Sequence, residues 1–226
     1  MTGPSRLDII TIDGPAGSGK STLSRLLARQ VGYSYLDTGA MYRAVALQAR
    51  RRGIDMRAPG HLAELCAGLD LRFETGPGDN LLFIGEEDVS EAIRTPEMDL
   101  LSSTISAVKE VRDAMTALQR RIGREGKIVA EGRDMGTVVF PQAKYKFFLT
   151  AAVDIRAERR YRERLARGES VAREEVEKEL RKRDEQDSRR TIAPLVPAKD
   201  AVIIDTSRLS TDQVMRIMLD RMRQDS

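Results

Sequence analysis

This sequence of 226 residues contains one cysteine, one histidine and no tryptophan, and each shortage excludes a class of protein. Cys66 alone cannot form an internal disulfide, and together with His61 it leaves no Cys/His cluster for zinc. Aromatic residues make up only 4% of the chain, so a stacking platform for single-stranded nucleic acid is not expected. Any bound metal is therefore expected to have mainly oxygen ligands.

Long apolar runs are also missing. No stretch approaches the roughly 18 apolar residues that a membrane helix needs, and the opening MTGPSRLDII lacks the apolar block of a signal peptide. We therefore expect a cytoplasmic protein with no membrane partner. The 38 basic residues are nearly matched by 35 acidic ones, which argues against a broad basic surface for nucleic acid.

Short apolar runs separated by stretches of helical periodicity predict the strands of a parallel sheet. They lie at 7–13, 33–37, 127–132, 145–150 and 201–206. Parallel strands need crossover connections, so this alternation predicts an α/β fold in which helices cover a five-stranded parallel sheet on both faces. Residues 97–123 are predicted to form one helix, and 61–69 a short one.

Two segments depart from that alternation. Residues 69–89 carry apolar or alternating runs on both sides of a Gly/Pro/Asp/Asn cluster, which predicts a small antiparallel hairpin. Residues 154–190 are mostly charged, with a thin apolar stripe and a helix break near Gly168. They are predicted to form two exposed, loosely attached helices.

The segment IDGPAGSGKST fits the phosphate-binding loop pattern G-x-x-x-x-G-K-[ST], and it lies between a predicted strand and a predicted helix. Its glycines let successive backbone N–H groups point at one anion, which also meets the N-terminus of the next helix. Lys20 adds positive charge, and Ser21 offers a hydroxyl to the Mg²⁺ of a nucleoside triphosphate. The predicted ATP-binding residues are Gly14, Pro15, Ala16, Gly17, Ser18, Gly19, Lys20, Ser21 and Thr22.

Other classes of P-loop protein are not favoured. The only asparagine is Asn80 in the hairpin, so the Asn-Lys-x-Asp segment that reads guanine is absent, and the strand at 127–132 does not end in the aspartate of a motor ATPase. LDTGAMYR and AEGRDMGTVVFP instead follow strand ends, where open α/β sheets bind ligands. They are expected to bring Arg43, Arg133 and Asp134 to one crevice that takes a second, small anionic substrate.

These two motifs, together with DGPAGSGKST, EDVSEAIRT and RDEQDSRRTIAPLVPA, resemble the bacterial cytidylate kinases of the nucleoside monophosphate kinase group. The resemblance covers nearly the whole chain, and the hairpin is its most discriminating part. It implies a single P-loop kinase domain, 1–226, that phosphorylates CMP and dCMP with MgATP. The implied parts are a core (about 1–40, 127–153 and 191–226), a CMP-binding part with the antiparallel insert (about 41–126) and a helical lid (about 154–190).

The resemblance also implies roles for particular residues. Those that match the family's acceptor site are Thr38, Tyr42, Arg43, Ser103, Arg112, Arg133, Asp134, Arg183, Asp187 and Arg190. Arg43 and Arg133 would grip the CMP phosphate, while Asp134, with Arg112 and Ser103, would read cytosine. Lys20, Arg183 and Arg190 would be catalytic. Arg190 lies seven positions after Arg183, which places them on one face if the helix continues.

Several alternatives remain open at this stage. Arg43 and Arg133 could form structural salt bridges, and Asp134 could be the partner of Arg133. Asp13 could bind magnesium through water or cap the loop, whereas Asp37 is better explained as a helix N-cap. The alternative functions are a kinase for another small acceptor, such as UMP or shikimate, and a nucleic-acid-binding ATPase. A closing lid is compatible with a monomer, which we expect.

Overall fold

A computed structural model of the chain describes residues 7–75 and 80–224. The strands, in chain order, are β1 (Leu7–Asp13), β2 (Ser34–Asp37), β3 (Leu71–Thr75), β4 (Asn80–Ile84), β5 (Glu87–Asp88), β6 (Ile128–Gly132), β7 (Ala143–Thr150) and β8 (Val202–Asp205). The helices are α1 (Lys20–Val31), α2 (Thr38–Arg51), α3 (Pro59–Ala67), α4 (Pro96–Ile105), α5 (Lys109–Ile122), α6 (Val153–Ala166), α7 (Arg173–Arg189) and α8 (Thr211–Gln224).

The predicted five-stranded parallel sheet is confirmed, with the strand order β2-β6-β1-β7-β8. The central strand β1 pairs in parallel with β6 on one side and with β7 on the other. Its side chains Ile9, Ile10 and Ile12 are buried because both faces of the sheet are covered. The apolar run LDIITID therefore lacks the alternation that a half-exposed strand would show.

The chain divides into two compact units, Met1–Ser34 with Gly126–Ser226, and Tyr35–Glu125. The first unit contains the P-loop, β1, β6, β7 and β8, and the helices α1, α6, α7 and α8. The second contains α2 to α5 and a small antiparallel sheet of order β3-β4-β5. The functional division into core, CMP-binding part and lid stays a prediction.

The predicted antiparallel insert is confirmed. β3 pairs with β4 from Leu71 opposite Ile84 onward, and β5 adds a short third strand through Phe83 opposite Asp88. The predicted hairpin turn, at 76–79, lies outside the described residues.

The prediction of one helix over 97–123 is wrong, because α4 ends at Ile105 and α5 begins at Lys109. The hydroxyls of Ser102 and Ser106 donate to the carbonyls of Asp99 and Ser103, so these serines bond to backbone groups near the end of α4. Apolar spacing gave no sign of the break, since buried residues occur on both sides of it.

The predicted pair of exposed helices at 154–190 is present as α6 and α7, but the expectation of loose attachment is wrong. Ala157, Val176 and Leu180 form a buried cluster, and Ala16 of the P-loop packs against it. The helices are therefore anchored to the phosphate-binding loop. Within the two described ranges, no helix has the length and apolar character needed to cross a bilayer.

Candidate active site

The predicted strand, loop and helix around the phosphate-binding motif are present. The loop between β1 and α1 turns tightly, with the Ser18 hydroxyl and the Lys20 ammonium donating to the Pro15 carbonyl at 3.0 and 2.7 Å. Gly14 has φ 147°, and a Cβ there would lie 2.0 Å from the carbonyl oxygen of Leu149. Only glycine fits this position, so the path of the loop is fixed by its closeness to β7.

Lys20 is nearly buried at the start of α1, with 7% of its surface exposed. Burial holds the pKa of its ammonium well below the ordinary value, and the positive charges of Arg133 and Arg183 lower it further. The carboxylates of Glu131 and Asp13 oppose these effects. Burial and the neighbouring arginines disfavour the charged form of Lys20, and an anion bound beside the ammonium would stabilise that form.

Asp13 ends β1 and fastens the segment that follows β6. Its two carboxylate oxygens accept hydrogen bonds from the backbone N–H groups of Met135 and Gly136, at 2.9 and 2.8 Å. Burial raises the pKa of Asp13 to about 6, although these two bonds act in the opposite direction. The carboxylate thus holds together the ends of two neighbouring strands, and it does not cap the P-loop itself.

The residues available for a metal ion fit Mg²⁺ that arrives with a nucleotide. Across residues 7–75 and 80–224, no group of three or more His, Cys, Asp or Glu side chains is placed to hold a metal. Ser21, in contrast, is exposed in the first turn of α1. Mg²⁺ typically takes few protein ligands and completes its shell with phosphate oxygens and water, which this arrangement allows.

Three arginines surround the buried carboxylate of Asp187. The Nε of Arg133 donates to Oδ2 of Asp187 at 2.9 Å, and Nη1 of Arg190 lies 3.8 Å from Oδ1. Burial alone would raise the pKa of Asp187, but the charges of Arg133, Arg183 and Arg190 hold it below the ordinary value. One carboxylate among three guanidinium groups leaves an excess of positive charge, which suits an anionic ligand.

Two details of this cluster differ from the sequence predictions. Asp187 accepts a hydrogen bond from Arg133, a pairing that the sequence did not indicate. The prediction that Arg183 and Arg190 share a helical face is also wrong, because α7 ends at Arg189 and Arg190 has extended backbone angles. The chain turns back at this point, since the N–H of Leu195 donates to the carbonyl of Asp187.

Asp134 follows β6 directly and is buried, with 2% of its surface exposed. Its backbone carbonyl accepts hydrogen bonds from the N–H groups of Val138 and Val139, which closes a π-helical turn at Met135–Val139. Arg133 points its Nε to Asp187, so the alternative that Asp134 is the carboxylate partner of Arg133 is not favoured.

In the second unit, Arg43 is held by carboxylates. Its Nη2 donates to Oδ2 of Asp37 at 3.2 Å, and its Nη1 lies 3.7 Å from Oδ1 of Asp99 in the first turn of α4. Asp37 also accepts from the N–H of Ala40, which confirms its expected role as the N-cap of α2. Thr38, the first residue of that helix, is buried.

Arg112 on α5 is also buried, with 3% of its surface exposed. Its Nη1 donates to the carbonyl of Ser106 at 3.1 Å, and its guanidinium carbon lies 5.7 Å from the centre of the Tyr42 ring. The structure therefore brings Tyr42 and Arg112 together. Ser103 is half-buried on α4, and its carbonyl accepts from the Ser106 hydroxyl.

Sequence reasoning missed Arg156 on α6. Its guanidinium donates in three directions: to the carbonyl of Ala151, to the P-loop carbonyl of Ala16 and to the carboxylate of Asp184 on α7. A Cβ on Gly17 would lie 3.0 Å from the Cβ of Arg156, so α6 and the P-loop pack closely. The sequence offered no signal for this role, because Arg156 is one of many arginines in a charged helix.

A phosphate-binding loop after the central strand of a parallel sheet, with an arginine cluster in the same unit, defines the class as a P-loop kinase. The profile of the cytidylate kinase family matches residues 10–224. The chain therefore belongs to the cytidylate kinase family, and the resemblance predicted from its motifs is confirmed.

Individual relatives support the assignment to the cytidylate kinase family. A cytidylate kinase from Syntrophotalea carbinolica is 52% identical over 211 residues, which cover 93% of this chain and 90% of the relative. A cytidylate kinase from Citrifermentans bemidjiense is 50% identical over 210 residues, with the same two coverages. Among solved structures, an uncharacterized protein from Eubacterium ventriosum shares the fold, with a TM-score of 0.53 and 12% identity over 95% of this chain and 98% of that one.

Proposed function

We propose that the protein transfers the γ-phosphoryl group of MgATP to CMP and dCMP, giving CDP and dCDP. The observation that carries the proposal is the phosphate-binding loop and its neighbouring arginine cluster in a chain of the cytidylate kinase family. The loop suits a donor triphosphate, and the arginines suit a second anion.

The donor would be bound by the loop from Gly14 to Thr22, through backbone N–H groups and the N-terminus of α1. Lys20 would contact the transferred phosphoryl group, and its ammonium lies within the loop, where it donates to the carbonyl of Pro15. Ser21 would hold Mg²⁺ together with phosphate oxygens. The ion, when bound, supplies neutralising charge at the β- and γ-phosphates.

The acceptor phosphate would be bound by Arg43 and Arg133, with Tyr42 near Arg43. Thr38 would contact the sugar. Arg183 and Asp187 would contact the ribose and the phosphates.

The base would be read by Asp134, with Arg112 and Ser103. Cytosine presents an amino donor that a carboxylate accepts, whereas uracil presents a carbonyl at the same place, which a carboxylate repels. A mispaired buried polar group costs about 1 to 3 kcal/mol, so Asp134 would discriminate against UMP.

In the transfer step, an oxygen of the CMP phosphate bonds to the γ-phosphorus as the bond from that phosphorus to the bridging oxygen breaks, and ADP leaves with that electron pair. The acceptor phosphate is already anionic, so no strong base is needed. Lys20, Arg183 and Arg190 would stabilise the charge on the equatorial oxygens. Closure of residues 154–190 would exclude water that otherwise hydrolyses ATP.

A substrate panel tests the proposal. ADP release from MgATP is measured with CMP, dCMP, UMP, AMP, shikimate or a polynucleotide as the added compound. CMP and dCMP should give the fastest release, and a faster reaction with any other compound would reject the assignment. A Lys20→Ala variant should remain folded by circular dichroism but lose turnover. The monomeric state and the cytoplasmic location stay predictions.

A further inference from the structure

The environment of Arg43 differs from that of the arginines around Asp187. Asp187 is one carboxylate among three guanidinium groups, whereas Arg43 is one guanidinium between the carboxylates of Asp37 and Asp99. An acceptor phosphate that reaches Arg43 therefore meets two carboxylates that repel it.

Asp37 and Asp99 hold Arg43 in different ways. Asp37 makes a hydrogen bond to Arg43 at 3.2 Å and is fixed in place by its bond to the N–H of Ala40. Asp99 lies 3.7 Å from Arg43, beyond hydrogen-bond distance, so it acts through charge alone. Both members of this pair are only about one-fifth exposed, at 19% for Arg43 and 20% for Asp99, which limits screening by water.

The space around the guanidinium is also limited. A Cβ on Gly39 would lie 3.3 Å from Nη1 of Arg43 and 3.2 Å from Oδ1 of Asp37. Arg43 is thus packed in its position between the carboxylates. When Arg43 binds a phosphate, its electrostatic interaction with Asp99 is weakened.

We propose that Asp99 is a positioning residue that weakens acceptor binding: it holds Arg43 by charge, and the phosphate of CMP must compete with it. The proposal rests on the proposed function, because it assumes that Arg43 binds the acceptor phosphate. Asp99 would therefore set KM for CMP without taking part in phosphoryl transfer.

The chain offers a matched control on the same two helices. Glu97, two residues before Asp99 on α4, pairs with Arg50 on α2 at 2.7 Å. Both side chains of that pair are about half exposed, at 48% for Glu97 and 55% for Arg50, and the pair does not include Arg43. Glu97→Gln removes the same charge from the same turn of α4 and leaves Arg43 in place.

The test compares steady-state kinetics of the wild type, Asp99→Asn, Asp99→Ala, Asp99→Glu and Glu97→Gln. CMP turnover by the wild type is measured first, and its failure would reject the proposed function and not this inference alone. The two neutral Asp99 variants should lower KM for CMP by about 2- to 5-fold at low salt, with kcat within about 1.5-fold of the wild type. Asp99→Glu should restore a KM near the wild-type value, and Glu97→Gln should not change it.

Two further readouts distinguish electrostatic competition from a structural effect. The KM difference between wild type and Asp99→Asn should shrink at high salt, because partly exposed charges are screened. Cytidine, which has no phosphate, should inhibit both proteins with the same constant. An unchanged or raised KM in folded Asp99→Asn and Asp99→Ala, or an equal gain in cytidine affinity, would overturn the proposal.

Discussion

The Nε of Arg133 donates a 2.9 Å hydrogen bond to Oδ2 of Asp187, a residue 54 positions further along the chain. The bond joins the end of β6 to the last turns of α7. Asp187 is buried, and the surrounding arginines hold its pKa below the ordinary value against the effect of burial. The carboxylate therefore contributes stability above about pH 4, and this contribution is lost as the pH falls through its lowered pKa.

Replacing Asp187 by Asn removes the one negative charge at the centre of these arginines. We expect the free energy of unfolding at pH 7 to fall by about 3 to 5 kcal/mol, as when one partner of a buried ion pair is removed. Urea unfolding measures this. Glu185→Gln is the control, because Glu185 pairs with Arg189 on the exposed side of the same helix. Equal stability losses in the two variants would contradict the assignment.

Arg156→Lys tests the link between α6 and the P-loop. A single ammonium cannot reach the three acceptors that the Arg156 guanidinium contacts, so we expect a loss of about 1 to 3 kcal/mol in unfolding free energy. KM for ATP should rise several-fold because the Ala16 carbonyl loses its donor. Arg162→Lys is the control, since Arg162 is 76% exposed and pairs with Glu158 at the surface of the same helix. A Arg156→Lys protein with wild-type stability and KM would refute this role.

The raised pKa of Asp13 predicts a second pH dependence of the unfolding free energy, opposite in sign to that of Asp187. Its pKa is raised from 3.8 to about 6 in the folded protein, so the folded state holds the proton more tightly. The stabilisation from this group is complete below about pH 4 and declines as the pH rises to about 6, by about 3 kcal/mol. Urea unfolding between pH 4 and 7 should show this decline, and Asp13→Asn should remove it. The same slope in both proteins would exclude Asp13 as its source.

Asp134→Asn tests the reading of the base. An amide can present either an acceptor to cytosine or a donor to uracil, so the preference for CMP over UMP in kcat/KM should fall by roughly 5- to 150-fold. Asp200→Asn provides the same change of charge at the exposed partner of Lys146 and should leave the preference unchanged. If Asp134→Asn retained the wild-type ratio, another residue would have to read cytosine.

Much of the fold was predictable because its local signals agree with the final structure. β1 and β6 are buried on both faces, so they appear in the sequence as short continuous apolar runs bounded by polar residues. The P-loop pattern then fixed where β1 ends and α1 begins. The antiparallel insert was marked by its turn residues.

The rest depends on contacts between distant residues. Arg133 and Asp187 belong to different motifs, and neither motif shows that the two side chains pair. Arg156 is surrounded in sequence by other arginines and glutamates, and it is distinguished only by its three hydrogen bonds and by the packing of α6 on Gly17. At the break after Ile105, the Ser106 hydroxyl bonds to the carbonyl of Ser103, a contact that apolar periodicity does not detect.

The transfer itself can be followed directly with ATP labelled at the γ-phosphate. With MgATP and CMP, the proposed transfer predicts that the label appears in CDP, at a rate far above the release of labelled inorganic phosphate. Label that appeared only as inorganic phosphate, at the same rate with and without CMP, would contradict it.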